Sequence, residues 1–104
     1  MFATVRRYEG IDSSNIDELT KKVGESLAPK LSQLPGFSSY FLIDTGNGVM
    51  SSIGLFDTST QASESTRVAS EWVRDEKLEN ILQNPPKVTD GEVIVHKTMN
   101  GIKA

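Results

Sequence analysis

The stretch Pro35 to Asp57, PGFSSYFLIDTGNGVMSSIGLFD, decides the fold. Pro35-Gly36 stops whatever helix precedes it, because proline opposes helix continuation and glycine tolerates the turn. Asn47-Gly48 suits the centre of a type I′ turn, in which both residues take positive φ. Two strands are expected on either side, Phe37 to Asp44 and Val49 to Phe56. If Gly46 pairs with Val49, Leu42 lies opposite Ile53 and Tyr40 opposite Leu55 on one face. The other face carries Phe41 opposite Gly54, with Ile43, Met50, Ser52 and Phe56 nearby. Neither face is polar. Helices can cover one, and the other needs cover that a chain of 104 residues has little material to supply.

Working outward, Phe2 to Tyr8 reads as a first strand, with Phe2, Thr4, Arg6 and Tyr8 on one face and Ala3, Val5 and Arg7 on the other. Ser14 followed by Asp17 resembles a helix cap. Ile16, Leu19, Val23, Leu27, Leu31 and Leu34 then recur at spacings of three and four, the stripe of an amphipathic helix. Thr58 and Gln61 fit a capping box opening a second helix, whose stripe is Ala62, Thr66, Ala69 and Val73, widened by Trp72. Leu78, Ile81 and Leu82 continue that helix or follow a bend, and Asn84-Pro85-Pro86 ends it. Glu92 to Thr98, EVIVHKT, alternates and reads as the last strand. The tail, Asn100 to Ala104, is expected to be mobile or to lie across a partner.

The order is therefore β-α-β-β-α-β, the ferredoxin-like arrangement: an α+β fold in which two helices cover one face of a four-stranded antiparallel sheet. The bare face would be too apolar for a monomer, so a homodimer joined through the open sheet face is expected, closing a dimeric α/β barrel.

Composition narrows the function. One domain is expected over residues 1–104, with its core within about 2–98. Eleven Lys and Arg against fourteen Asp and Glu give a net charge of −3 with the signs interspersed, which argues against nucleic acid and against a lipid surface. Cysteine is absent, which excludes disulfides, thiolate nucleophiles and sulfur-ligated metals. No apolar run approaches a membrane span, and MFATVRRYEG lacks the order of a signal peptide, so a cytoplasmic protein is expected.

The long first helix ending in LPGF, the hairpin, the second helix after Phe56-Asp57 with its EWV, and PP-x-V-x-x-GEV-x-V at the last strand resemble the dimeric α/β barrel superfamily. Within it, the chain is similar to small antibiotic-biosynthesis-monooxygenase-like proteins. The resemblance covers about residues 2–98 and implies the fold more directly than any chemistry. It implies a small hydrophobic or aromatic ligand, and either oxidation of that molecule without a bound cofactor or a non-catalytic homodimeric binding or structural module. Haem-degrading relatives use an asparagine on the first strand and a histidine on the second helix. FATVRRY has no asparagine and the second helix has no histidine, which argues against haem.

The candidate catalytic residues are His96, Tyr8 and Tyr40. His96 is the sole histidine: it could transfer a proton if its face looks into a pocket, but it cannot form a two-histidine metal site within one protomer, and no metal is expected. The tyrosine hydroxyls could orient a phenolic substrate, or could simply sit at the dimer edge. The candidate ligand-binding residues are Trp72, Phe41, Phe56, Ser52 and Gly54. Trp72 could stack on a planar ligand or pack as core. Gly54 either relieves crowding beside an aromatic ring or leaves a small cavity bounded by Phe41, Phe56 and Trp72, with Ser52 as its polar group.

Overall fold

The computed structural model describes residues 1–99. Strand β1 (Phe2–Tyr8) is followed by a single turn of 3-10 helix (Ser13–Asn15) and by α1 (Ile16–Lys22). A π-helical segment (Val23–Leu27) leads directly into α2 (Ala28–Ser32). The hairpin β2 (Phe37–Gly46) and β3 (Val49–Phe56) comes next, then α3 (Ser59–Asp75) and β4 (Lys87–Glu92). The four strands form one antiparallel sheet in the order β2-β3-β1-β4, the ferredoxin-like arrangement. β1 and β3 are central, so whatever they point at the helices is buried. Thr4, Arg6, Met50, Ser52 and Phe56 are all nearly inaccessible.

The helical stripe explains the π segment. Leu19, Val23, Leu27 and Leu31 are all buried although each stands four residues from the last. In a regular α-helix that spacing over-rotates by about 40° per step, so the stripe would drift off the sheet. A wider turn, closed where the Ala28 N–H reaches the Val23 carbonyl, takes up the excess. Pro29 favours the same place, since its ring clashes with the carbonyl four residues back in a regular helix.

Turn chemistry accounts for the element ends. The Asn47 and Gly48 φ angles of 57° and 76° make the expected type I′ turn. Thr58 and Gln61 cap α3 reciprocally at 3.2 and 3.1 Å, the expected capping box. At the first helical turn the cap is Asp12 and not Ser14: the Asp12 Oδ1 accepts from the Ser14 N–H at 2.9 Å and from its hydroxyl at 2.7 Å. α3 ends with Lys77 at φ 57°, the Leu78 N–H reaching back to the Val73 carbonyl at 2.9 Å. Leu78, now 2% exposed, follows this bend and plugs the core instead of continuing the helix.

The hairpin register differs from the expected one. Gly46 does pair with Val49, but a β-bulge follows, so Asp44 pairs with Met50 and Thr45 is the extra residue. The β2 side chains from Asp44 back to Ser39 change face relative to β3, and a second shift, between Ser39 and Phe37, returns Phe37 to the side of Phe56. Tyr40 lies opposite Gly54, Leu42 opposite Ser52, and Phe41 opposite Ile53. Tyr40 and Leu42 thus join Met50, Ser52 and Phe56 under the helices. Val5, Ile53 and Phe41 form a row on the open face, with Phe41 51% and Ile43 41% exposed.

The last strand begins at Lys87, not at Glu92. It pairs with β1 from Arg7↔Lys87 to Phe2↔Glu92, and a final bond joins the Val93 N–H to the Met1 carbonyl at 2.9 Å. The alternating residues that follow, up to Met99, form no further strand despite their β-branched side chains. The tail from Asn100 lies outside the described residues.

Candidate functional site

β1 carries Arg6 on the face covered by helices, and the side chain is 1% exposed. Because β1 is a central strand, the guanidinium cannot snorkel to water past an edge. Its Nη1 donates to the Thr66 Oγ1 of α3 at 3.3 Å, and that oxygen lies 3.1 Å from the Thr4 Oγ1. The Nε has no hydrogen-bond partner among the described residues. No ion pair engages Arg6 among the described residues; the pairs that form involve other side chains at the surface. A guanidinium stays protonated in proteins, so a buried one without a counter-charge costs several kcal/mol of stability. Such a cost is characteristic of functional positions.

Directly across the ladder from Arg6 stands Ser52, whose buried Oγ is also without a partner. Tyr8, two residues along β1, and Tyr40, next to Leu42 in the adjoining strand row, complete the polar group. Burial raises both tyrosine pKa values above the ordinary value of 10.0, and the Arg6 charge only partly offsets that by favouring the phenolates. Both hydroxyls are therefore protonated at neutral pH and available as donors.

These four polar residues line a cavity between sheet and helices with a free volume of about 30 Å³. The rest of the lining is apolar: Leu42 and Met50 from the sheet, Leu19, Val23 and Leu27 from the first helical run, and Trp72 and Val73 from α3. Ile11 and Leu82 close it. Trp72 is held in place by an indole N–H bond to the Ser26 Oγ at 2.8 Å, which ties α3 to the π segment.

Of the residues expected at a site, Tyr8, Tyr40, Ser52 and Trp72 are brought together at this cavity. Phe56 is fully buried but does not line it; its ring packs edge-on against Phe37, with centroids 5.7 Å apart. Gly54 makes room for that ring. A Cβ there would stand 3.1 Å from the Phe56 Cε1 and 3.5 Å from the Thr4 Cγ2, so the crowded neighbour is Phe56 and not Phe41. Phe41 lies on the opposite side of the sheet, turned there by the Thr45 bulge. His96 is exposed beyond β4 and does not reach the cavity.

Arg6 is the buried cavity-lining residue that pattern reading missed. The signal was present: alternation puts Arg6 with Phe2, Thr4 and Tyr8, and β-α-β-β-α-β order makes the first strand central. Among the described residues, no group of three or more histidine, aspartate or glutamate side chains is placed to hold a metal ion. No helix among them is long and apolar enough to cross a membrane.

No protein-family model matches the chain, and no curated protein matches it in sequence. Solved structures do match in fold. A protein of unknown function from Nitrosomonas europaea superposes with a TM-score of 0.75 at 17% identity, over 96% of this chain and 95% of that one. A monooxygenase from Streptomyces coelicolor (ActVA-Orf6), solved in complex with nanaomycin D, gives 0.72 at 14% identity, over 95% and 92%. A dimeric ferredoxin-like protein from an uncultured marine organism gives 0.68 at 13%, over 94% and 98%. The chain thus has the ferredoxin-like fold of monooxygenase-like proteins.

Proposed function

We propose that the cavity binds a small aromatic molecule and promotes its oxidation by dioxygen without a bound cofactor, in a homodimer joined through the open sheet face. The observation that carries the reading is the cavity itself: an apolar enclosure into which Arg6, Ser52, Tyr8 and Tyr40 converge. A monooxygenase that shares the fold was solved in complex with nanaomycin D, and another protein that shares it is dimeric. The open-face row of half-buried Val5 and Ile53 with exposed Phe41, together with exposed Ile43, supports self-association.

An electron-rich phenol or enol can supply the electrons itself. Its anion passes an electron to dioxygen, the radical pair forms a carbon–oxygen bond, and the hydroperoxide loses water. A methylene thereby becomes a carbonyl, with O₂ divided between product and water and no outside reductant consumed. The protein's part is to exclude water and hold the ring, with neutral tyrosine hydroxyls and Arg6 against the oxygen. A ring needs more room than about 30 Å³, so entry displaces the helical side of the lining. The π segment carrying Val23 and Leu27 is the part of the wall whose hydrogen bonding is least regular.

The test is aerobic incubation with phenols, hydroquinones and anthrones, following oxygen uptake and incorporation of labelled oxygen. Uptake that is lost in Tyr40→Phe or Trp72→Ala supports the reading, and no uptake with any substrate overturns it. The alternative reading is a non-catalytic ligand-binding module that holds the same molecule without turning it over. Thermal stabilisation by these compounds without oxygen consumption would establish that instead.

A further inference from the structure

We infer that Arg6 is a receptor for one oxyanion, so that the ligand is a flat apolar molecule bearing a single ionised oxygen group, a carboxylate or a phenolate. The inference rests on reading the cavity as a ligand site and specifies the charge of what enters it.

The argument is one of electrostatic completeness. Arg6 is 1% exposed, is one of the residues that line the cavity, and keeps an unpartnered Nε. The groups it meets are neutral hydroxyls: its Nη1 donates to Thr66, and it interacts with the Tyr8 and Tyr40 hydroxyls closely enough to favour their phenolates. Its partner across the ladder, Ser52, also lines the cavity and carries a second buried polar atom without a hydrogen-bond partner. Tyr8 and Tyr40 add two hydroxyl donors and no negative charge, because burial keeps both protonated. The polar end of the cavity is therefore rich in donors and carries one positive charge, among apolar walls where charge is poorly screened. A monoanion neutralises it and receives charge-assisted bonds. A neutral ligand leaves the guanidinium uncompensated. A dianion such as phosphate would bring one negative charge too many into an apolar enclosure.

The competing account is that Arg6 is structural and internally hydrated. Anaerobic titrations decide between them, read by calorimetry and by the fluorescence of Trp72, the single tryptophan, which lines the cavity. Benzoate is paired with benzamide, and 4-nitrophenolate with 4-nitroanisole, so that carboxylate and phenolate recognition are measured separately; phthalate supplies the dianion. The expected result is that at least one monoanion binds about tenfold or more tighter than its neutral partner and than phthalate. Arg6→Gln and Arg6→Met should erase that preference, and Arg6→Lys should restore part of it. Equal binding of charged and neutral probes, a preference that survives Arg6→Gln, or no binding of any probe would each overturn the inference. The comparison within the unaltered protein decides the matter even if a variant fails to fold. Oxygen uptake is scored apart: anion selectivity without uptake sinks the oxygenation reading alone, and uptake with charge-blind binding sinks this inference alone.

Discussion

The indole N–H of Trp72 donates to the hydroxyl of Ser26 at 2.8 Å, across a separation of 46 residues. This bond fastens the last turn of α3 to the π segment and so fixes two walls of the cavity against each other. Ser26→Ala leaves a buried indole N–H without its partner. Chemical denaturation should show a loss of about 1 kcal/mol, with altered tryptophan emission. An unchanged midpoint and spectrum would mean the bond does not hold the wall.

Arg6→Met tests the cost assigned to the buried charge. Replacing an unpaired guanidinium with an apolar side chain of similar length should stabilise the ligand-free protein by about 1–3 kcal/mol, read from denaturant midpoints. Thr66 keeps its contact with Thr4, so little is lost elsewhere. Destabilisation would show that Arg6 supports the fold instead.

Alkaline titration should expose the tyrosines. Their folded pKa values are raised by burial, so the neutral forms contribute stability that is complete below the ordinary value of 10.0. That contribution is lost as pH rises from there through the folded values, because the unfolded chain releases its protons first. Melting temperatures above about pH 10 should fall less steeply for Tyr8→Phe and Tyr40→Phe than for the unaltered chain. Parallel curves would place both hydroxyls in water.

Lys77 holds a left-handed conformation, φ 57°, at the end of α3. Glycine adopts this without the steric cost that a Cβ incurs. Lys77→Gly should therefore raise stability by about 0.5–1 kcal/mol, measured by thermal or chemical melts, with no change in ligand binding.

Phe41 belongs to the open-face row with Ile53 and Val5. In a two-fold dimer through that face, Phe41→Glu would bury a carboxylate from each protomer in an apolar interface. Sedimentation should report a dimer for the unaltered chain and a monomer for the variant, with association weakened about 100-fold or more. A monomeric unaltered protein at micromolar concentration would remove the dimer from the proposal.

Much of this molecule is legible from local chemistry. Asn47-Gly48, Pro35-Gly36 and the Thr58–Gln61 box mark turns and caps because each acts through its own backbone within a few residues. Alternation and helical periodicity then order the elements, and their order implies the sheet. His96 illustrates the limit of such patterns: EVIVHKT alternates like a strand, yet the pairing with β1 runs from Lys87 to Glu92 and His96 lies beyond it, because alternation alone does not say which residues meet a partner strand.

The sequence by itself determined the βαββαβ order, the ferredoxin-like fold and the apolar character of both hairpin faces, because these follow from residue type and spacing along the chain. Only the tertiary structure decided which side chains meet. One extra residue, Thr45, sends Phe41 to the open face and Tyr40 to the cavity, since side chains alternate with every residue and a bulge inverts those that follow it up to the next shift. The burial of Arg6 likewise depends on α3 covering a central strand. An arginine in a strand is ordinary in a sequence; it becomes a site when packing removes its water and brings no carboxylate in return.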